Sequence, residues 1–369
     1  MKLEILQENL NTALTQLHRI IPNKPQLPIL SSILIDVSKS NITLSATDLY
    51  VGIKTTISGK IIETGKLAIP GKIFYSSINS LNPGKLTLSL KENTLTINSQ
   101  NNKTTIQCLD ATDFPDFPVM NGETHSLSTV SLENIQKMVG FSTSIDPTRP
   151  VLTSLLFQFD QDGLLVVGTD GFRLSTLKLP AEKMDSNVQF LVPAKAINEV
   201  TKITSTQDVE VVSLKISEEL KQLVMEIGST QLFVRLIEGE YPPFNKIIPT
   251  QYLFEAELDG AEFENQLKRA QIFARESSNI IRLKFSKNEL LITAVSSSYG
   301  KHEGKMNIEV NDGEEGEIAF NSKYLLDFMS TLKPEKIKFL MNESLTPAMM
   351  RPDNQENYQY VVMPFRVNE

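Results

Sequence analysis

The sequence is poor in the residue types that most often carry chemistry. Among 369 residues it has one cysteine, three histidines and no tryptophan. A single cysteine excludes an internal disulfide. Cys108 alternates with apolar positions in "TTIQCLD", which predicts an inert core thiol. His18, His125 and His302 are far apart, and none has a second histidine or a cysteine at metal-ligand spacing, so neither a metal nor another cofactor is expected. There is no G-x-S-x-G elbow, P-loop or G-x-G-x-x-G fingerprint. No apolar run reaches the ~18 residues that span a bilayer. The opening "MKLEILQENL" carries charges where a signal peptide needs an apolar stretch. The expectation is a soluble cytoplasmic protein with no membrane partner. The net charge of −8 argues mildly against nucleic acid as a partner, although it does not say where the charges sit.

What is present is repetition. "LPILSSILIDVSKSNITLSATDL", "RPVLTSLLFQFDQDGLLVVGTDG" and "SNIIRLKFSKNELLITAVSSS" each read as a strand, a polar turn and a second strand, from period-two alternation and β-branched residues. A strand, a break and an amphipathic helix follow in "LAIPGKIFYSSINSL", "FLVPAKAINEVTKI" and "IAFNSKYLLDFMSTL". "LDATDFPDFP", "RLIEGEYPPF" and "YVVMPFRV" close the copies. Thr47 to Thr169 is 122 positions, Pro70 to Pro193 is 123, and Pro242 to Pro364 is 122. Pro193 to Asn321 is 128. Three markers in one order at nearly the same offset are strong evidence for three copies of one domain. Each copy also opens on a helix: "ENLNTALTQLHRII", "SLENIQKMVGFST" and "AEFENQLKRAQIFAR". The fold class is therefore α+β, with two helices per copy and domains expected at 1–125, 126–251 and 252–369. Repetition lets sheets join edge to edge and leaves few free edges.

The stretch "VVGTDGFRLS" ends a strand in clustered polar groups. Asp170 reads first as a catalytic acid, but the first copy has Asp48 at the same place. Asp and Thr at a strand end commonly cap backbone amides, so a structural Asp170 is expected. Arg173 has Val51 as its counterpart and reads either as a surface arginine or as an anion clamp.

The triple repeat, together with "LPIL", "TDL", "DFP", "TDGFRL", "GEYPPFNKIIP", "FNSKYLLD" and the terminal "YVVMPFR", closely resembles the β subunit of bacterial DNA polymerase III, the sliding clamp family, over essentially the whole chain. The resemblance implies a DNA clamp fold: a head-to-tail homodimer forming a ring of six similar domains, with helices lining the bore and sheets outside. It implies a non-catalytic processivity factor in DNA replication. Its partners are encircled duplex DNA bound without regard to sequence, a clamp loader, and the polymerase III catalytic subunit and other clamp-binding proteins, which dock through short linear peptides.

By position, the resemblance assigns the peptide pocket to Leu152, Thr169, Gly171, Phe172, Arg173, Leu174, Pro242, Lys246 and Ile247 from the second copy and the loop after it. The third copy supplies Asn321, Tyr324, Leu345, Pro347, Val361, Val362, Met363, Pro364, Phe365 and Arg366. Leu152, Leu174, Ile247, Val361 and Met363 are expected as an apolar floor, with core packing as the rival for Leu152 and Val361. Arg173 and Arg366 are expected to hydrogen-bond the peptide, and the extended "YVVMPFRVNE" to pair with it along the main chain. Ser278 and Lys246 depart from the bulkier residue and the arginine common in the family, and the chain runs past Arg366. DNA-facing positions are Lys24, Lys72, Arg149 and Lys195. The dimer seam is expected at Ile106 of the first domain and Ile272 and Phe273 of the third, with Lys103 meeting an acidic residue near Glu303.

Geometry fits a ring. A 123-residue domain is roughly 35 Å across; three such spheres in a ring leave a hole of about 5 Å and six leave about 35 Å, against a duplex on the order of 20 Å wide. Helices expected at 8–21, 71–82, 131–142, 194–203, 261–275 and 322–333 carry a formal charge of +4, leaving −12 for the rest. A mildly positive bore suits sliding, since each fixed phosphate contact deepens a well that must be left. Two rival classes remain: a peptide-binding scaffold without DNA, and a hydrolase with a site between repeats using Asp170 and a second carboxylate.

Overall fold

The computed structural model describes residues 1–119, 124–180, 188–217, 219–313 and 315–366. Six α-helices are found among them: α1 (Gln7–His18), α2 (Gly71–Asn79), α3 (Thr129–Asn134), α4 (Ala194–Thr204), α5 (Gly260–Ala274) and α6 (Ser322–Leu332). Two fall in each copy, as the repeat requires. Each buries one stripe: α1 sinks Leu10, Ala13, Leu14 and Leu17, at the three- and four-residue steps of an amphipathic helix.

The strands form four sheets among the described residues. In neighbour order, a five-stranded sheet runs Lys60–Glu63, Lys2–Leu6, Lys85–Lys91, Thr94–Asn98 and Lys103–Gln107. An eight-stranded sheet runs Thr124–Ser128, Val211–Ser217, Gln222–Ile227, Thr230–Arg235, Val51–Ile57, Ile42–Thr47, Ser32–Val37 and Gly65–Pro70. A nine-stranded sheet runs Val188–Pro193, Ser154–Asp160, Gly163–Thr169, Arg173–Leu179, Tyr358–Val362, Ala348–Pro352, Lys336–Met341, Phe254–Asp259 and Glu309–Asp312. A four-stranded sheet runs Gly300–Asn307, Glu289–Ser296, Ile280–Ser286 and Gly316–Asn321.

The two long sheets each cross from one copy to the next. Val51–Ile57 pairs antiparallel with Thr230–Arg235, joining the first copy to the second. Arg173–Leu179 pairs antiparallel with Tyr358–Val362, joining the second to the third. The corresponding strands left over, Lys103–Gln107 in the first copy and Gly300–Asn307 in the third, each lie at the edge of a sheet. The compact units follow the sheets rather than the copies. One contains Met1–Thr129 and Glu199–Leu236, the other Val130–Asn198 and Ile237–Glu369. The strand Thr124–Ser128 pairs with Val211–Ser217, so it runs through the boundary expected at 125 and already belongs to the second copy.

Local chemistry sets the helix ends. Asp259 caps α5, accepting from Glu262 N at 2.8 Å, and Asn321 caps α6, accepting from Lys323 N at 3.0 Å. Gly260 is required because a Cβ there would stand 1.9 Å from Pro334 O. The helix expected over 131–142 differs from a regular one: after α3 the chain widens into a π turn over Ile135–Val139 and tightens into a 3-10 turn over Gly140–Ser142. At the widened turn Val139 O presses against the strand Gly163–Thr169, where a Cβ on Gly168 would lie 2.9 Å from it. Cys108 is buried and its thiol is pushed up by burial, in keeping with a core thiol.

Candidate functional site

The strand Gly163–Thr169 delivers Thr169 and Asp170 to a tight turn, and the turn is tied by side chains. Thr169 Oγ1 donates to Arg173 O at 2.6 Å and accepts from Gly171 N at 3.0 Å. Asp170 Oδ1 accepts from the N–H groups of Phe172 and Arg173 at 2.9 and 3.0 Å. Gly171 has φ +94°, which glycine adopts without strain. Asp170 is therefore the structural residue expected, its carboxylate spent on the turn.

Arg173 differs from the expectation of a clamp open to ligand. Its side chain is buried, Nε donates to Asp170 at 3.0 Å, and Nη1 donates to Asp327 at 2.6 Å. The guanidinium lies 4.9 Å from the Tyr324 ring and 5.6 Å from the Phe141 ring, within cation–π range. Burial works against its charge, but Tyr360, Asp327 and Asp170 outweigh burial and hold the group above its ordinary value. The same neighbourhood buries the Tyr360 phenol, which is pushed up by desolvation. Arg173 thus fastens α6 of the third copy to the second-copy turn. Asp327 was missed in the sequence; its only signal was a lone acid in the apolar run "YLLDFM". Asp170→Asn should cost about 1.5–3 kcal/mol, the worth of one hydrogen bond to a charged group. A lowered urea midpoint at fixed protein concentration would register it.

Several of the residues expected at the pocket are packed inward. Leu152, Leu174, Val361 and Val362 are fully packed. Leu174 and Val361 belong to a core with Leu156, Val167, Phe244 and Met349, against which Ile247 packs half-buried. Covering a sheet joint from water leaves no reason for these side chains to face out. The apolar groups that do face out are Phe172 (57% exposed), Leu345, Met363 (37% exposed) and Phe365. Phe172 stacks on Tyr324 with ring centroids 6.2 Å apart.

The structure brings the two halves of the expected site together across 190 positions of sequence. Arg173 is paired with Val362 and Leu174 with Val361 in the sheet. Met363 N then donates to Phe172 O at 2.9 Å, and Phe365 N donates to Ala319 O at 2.7 Å, so Pro364 is held between two anchored residues. Asn321 caps the helix that carries Tyr324. Pro347 precedes the strand Ala348–Pro352, where Ala348 pairs with Val362. Pro242 is half-buried, and Lys246 and Arg366 are exposed. Ser278 and Asn279 have φ of +56° and +60°, and Asn279 O accepts from Ser322 N, so this turn braces the start of α6. The tail beyond Arg366 lies outside the described residues.

Of the expected basic positions, Lys24, Lys72, Arg149 and Lys195 are all exposed, and Lys72 Nζ donates to Asn23 at 2.7 Å. Three of the seam candidates fall on the edge strands left over from the two joints. Lys103 and Ile106 lie on Lys103–Gln107, with Lys103 exposed and Ile106 buried; Glu303 lies on Gly300–Asn307, paired to Lys301 at 3.0 Å. Ile272 is exposed on α5, and Phe273 stacks on His302 with centroids 5.9 Å apart. Among the described residues no three of His, Cys, Asp and Glu are grouped as metal ligands, and no helix is long and apolar enough to cross a membrane.

Family models for the DNA polymerase III beta subunit match nearly the whole chain: the N-terminal domain over residues 1–118, the central domain over 126–243 and the C-terminal domain over 245–366. The beta sliding clamp of Chlamydia muridarum is 28% identical over 380 residues, covering 100% of both chains. That of Staphylococcus aureus is 28% identical over 380 residues, covering 99% of both. Among solved structures, the DNA polymerase III subunit beta of Pseudomonas aeruginosa superposes with a TM-score of 0.94 at 24% identity, and the sliding clamp of Bacillus subtilis with 0.93 at 24%, each over 100% of both chains. A Pseudomonas aeruginosa sliding clamp bound to griselimycin superposes with a TM-score of 0.93 at 25% identity, again over 100% of both chains.

Proposed function

This chain belongs to the DNA polymerase III beta subunit family, the sliding clamps that give DNA polymerase its processivity, and from that premise we propose how its residues do the work. Two copies close head to tail into a ring of six domains around duplex DNA. The polymerase III catalytic subunit, the clamp loader and other DNA enzymes hold the ring by short peptides laid against Phe172, Tyr324, Met363 and Phe365. The domains are those expected, 1–125, 126–251 and 252–369. The ring itself carries out no turnover.

One observation carries this reading. The joint between copies is made twice inside the chain by corresponding strands, and both partners for a third such joint are present as open edges. An open edge of unpaired N–H and C=O groups is a template for another strand. By analogy, the third joint follows the registers of the first two. Val51 faces Val234 in the first joint and Arg173 faces Val362 in the second. Thr47, Thr169 and Ser296 correspond, each taking a backbone N–H two residues on, so Gly300 corresponds to Val51 and Arg173. The isolated bridges Ala68–Leu109 and Leu191–Ile237 correspond as well, which equates Ile106 with Val234. Gly300 then faces Ile106 of the partner subunit, and Glu303 faces Lys103 of the partner subunit. The strand registers support the ion pair that the resemblance implies there.

Held by topology, the protein needs little direct affinity for DNA, and Lys24, Lys72, Arg149 and Lys195 supply only a weak sequence-independent attraction. After loading on nicked circular duplex by a clamp loader, the protein should remain through gel filtration. Linearising the circle should release more than nine-tenths of it by sliding off the ends. Equal retention on linear and circular DNA would sink encirclement and favour a peptide-binding scaffold.

A further inference from the structure

The turn that opens the candidate peptide site has a counterpart in the first copy. Thr47 Oγ1 donates to Val51 O at 3.1 Å and accepts from Leu49 N at 3.0 Å. Asp48 Oδ1 accepts from the N–H groups of Tyr50 and Val51 at 3.0 and 2.7 Å. These are the bonds of Thr169 and Asp170, one copy earlier. Arg235 N donates to Tyr50 O at 2.8 Å, as Met363 N donates to Phe172 O at 2.9 Å. Tyr50 therefore stands where Phe172 stands and is 54% exposed, against 57% for Phe172.

The side chains on this frame are its own. Leu49 takes φ +76° where the second copy has Gly171, so an exposed leucine is held in the left-handed region that disfavours it. Beside it lies a cavity of about 170 Å³, lined by Leu49, Tyr50, Phe117, Phe233, Gln222 and Arg235 among others. Phe117 packs 4.7 Å from Phe233 and occupies the space a Cβ on Gly52 would need. Asp116 also lines the cavity, exposed to solvent, and two further polar groups there are unanswered among the described residues. Gln222 Oε1 is buried with no hydrogen-bond donor, and the exposed Arg235 has no ion pair.

We propose that this cavity is a second docking site, taking one apolar side chain of a linear acidic peptide from another protein. The proposal rests on the reading that the corresponding junction in the second and third copies docks peptides. The apolar side chain enters between Leu49 and Phe117, a main-chain N–H of the peptide donates to Gln222 Oε1, and a peptide carboxylate pairs with Arg235. A buried acceptor left without a donor is unfavourable and recovers that loss when a donor arrives. At about 170 Å³ the cavity has room for one anchor. Binding is accordingly about tenfold weaker than at a two-anchor site.

The test uses the full chain and a chain ending before Met363, titrated by fluorescence anisotropy. The probe is a fluorescein-labelled six-residue peptide with one leucine, one phenylalanine, one glutamine and three aspartates. The full chain should bind two probes per subunit, and the shortened chain one, about tenfold more weakly. Leu49→Asp in the shortened chain should remove at least a further tenfold. Aspartate tolerates positive φ better than leucine does, so this variant keeps the turn. Arg235→Glu, a surface change, should weaken the remaining binding about fivefold and flatten its salt dependence. No binding by the shortened chain, or binding indifferent to both substitutions, overturns the proposal. Tighter binding after shortening also overturns it, by assigning the cavity to the chain's own tail. If shortening leaves two sites and Leu49→Asp removes one, the second site stands and the reading of the first one fails.

Discussion

Replacing Ile272 and Phe273 together by aspartate should turn a dimer at micromolar concentration into monomers in velocity sedimentation. Ile272 projects 65% exposed from α5, a helix whose opposite stripe of Phe263, Leu267, Ala270 and Ala274 is buried. Phe273 lies against His302 on the open strand Gly300–Asn307, next to Glu303, which the proposed joint would set against Lys103 of the partner subunit. Closing the third joint would cover both side chains. Each contributes roughly 1.5–3 kcal/mol on burial, and a ring has two seams. An aspartate in their place adds the cost of a charge taken from water. The dimer constant should weaken by at least about a thousandfold, since 1.4 kcal/mol is a factor of ten. The ion pair is a finer probe of register. Glu303→Lys alone should weaken the dimer a few-fold, within the 0.2–1 kcal/mol usual for exposed pairs. Adding Lys103→Glu should restore it. An unchanged dimer in the Ile272, Phe273 variant would discard this seam.

The repeat, the helices and the turn at Asp170 were legible because each is a local pattern written three times. Asp48 beside Thr47 marks Asp170 as structural in the sequence, and its hydrogen bonds to Phe172 and Arg173 agree. Non-local pairing was not legible. Nothing near Arg173 in sequence announces Asp327, 154 positions on, because an ion pair leaves no periodicity. Leu174 and Val361 read as a floor or as core with equal ease, since apolar residues serve both; only the sheet joint, which covers them, decides for core. The repeat foretold that sheets join, but the register proposed to set Glu303 against Lys103 needed the two internal joints as templates. The π turn after α3 depends on the close approach of Gly168 from another element, which no helix periodicity encodes.

Ending the chain before Met363 should abolish binding of a short peptide carrying one glutamine and two apolar anchors at the principal site, while dimer and fold persist. The removed segment is peripheral to the sheet. The strand Tyr358–Val362 keeps its full pairing with Arg173–Leu179 without it, and only the bonds of Met363 N to Phe172 O and Phe365 N to Ala319 O are lost. Chain ends of this kind are removed at little cost to the core. What is lost chemically is two of the apolar groups that face solvent, Met363 and Phe365, and the main chain that an extended peptide would pair with. A peptide burying a few side chains binds at about micromolar strength, close to −8 kcal/mol. Losing two anchor contacts at roughly 1.5 kcal/mol each removes about a hundredfold, which puts binding beyond an ordinary anisotropy titration. Asp170→Asn is the control with the opposite signature: it should lower the urea midpoint and leave peptide affinity within a few-fold, because its carboxylate is spent on the turn. If the shortened chain bound this peptide as the full chain does, Phe172, Tyr324 and Met363 would be a surface cluster bracing the joint, and the partner site would lie elsewhere on the ring.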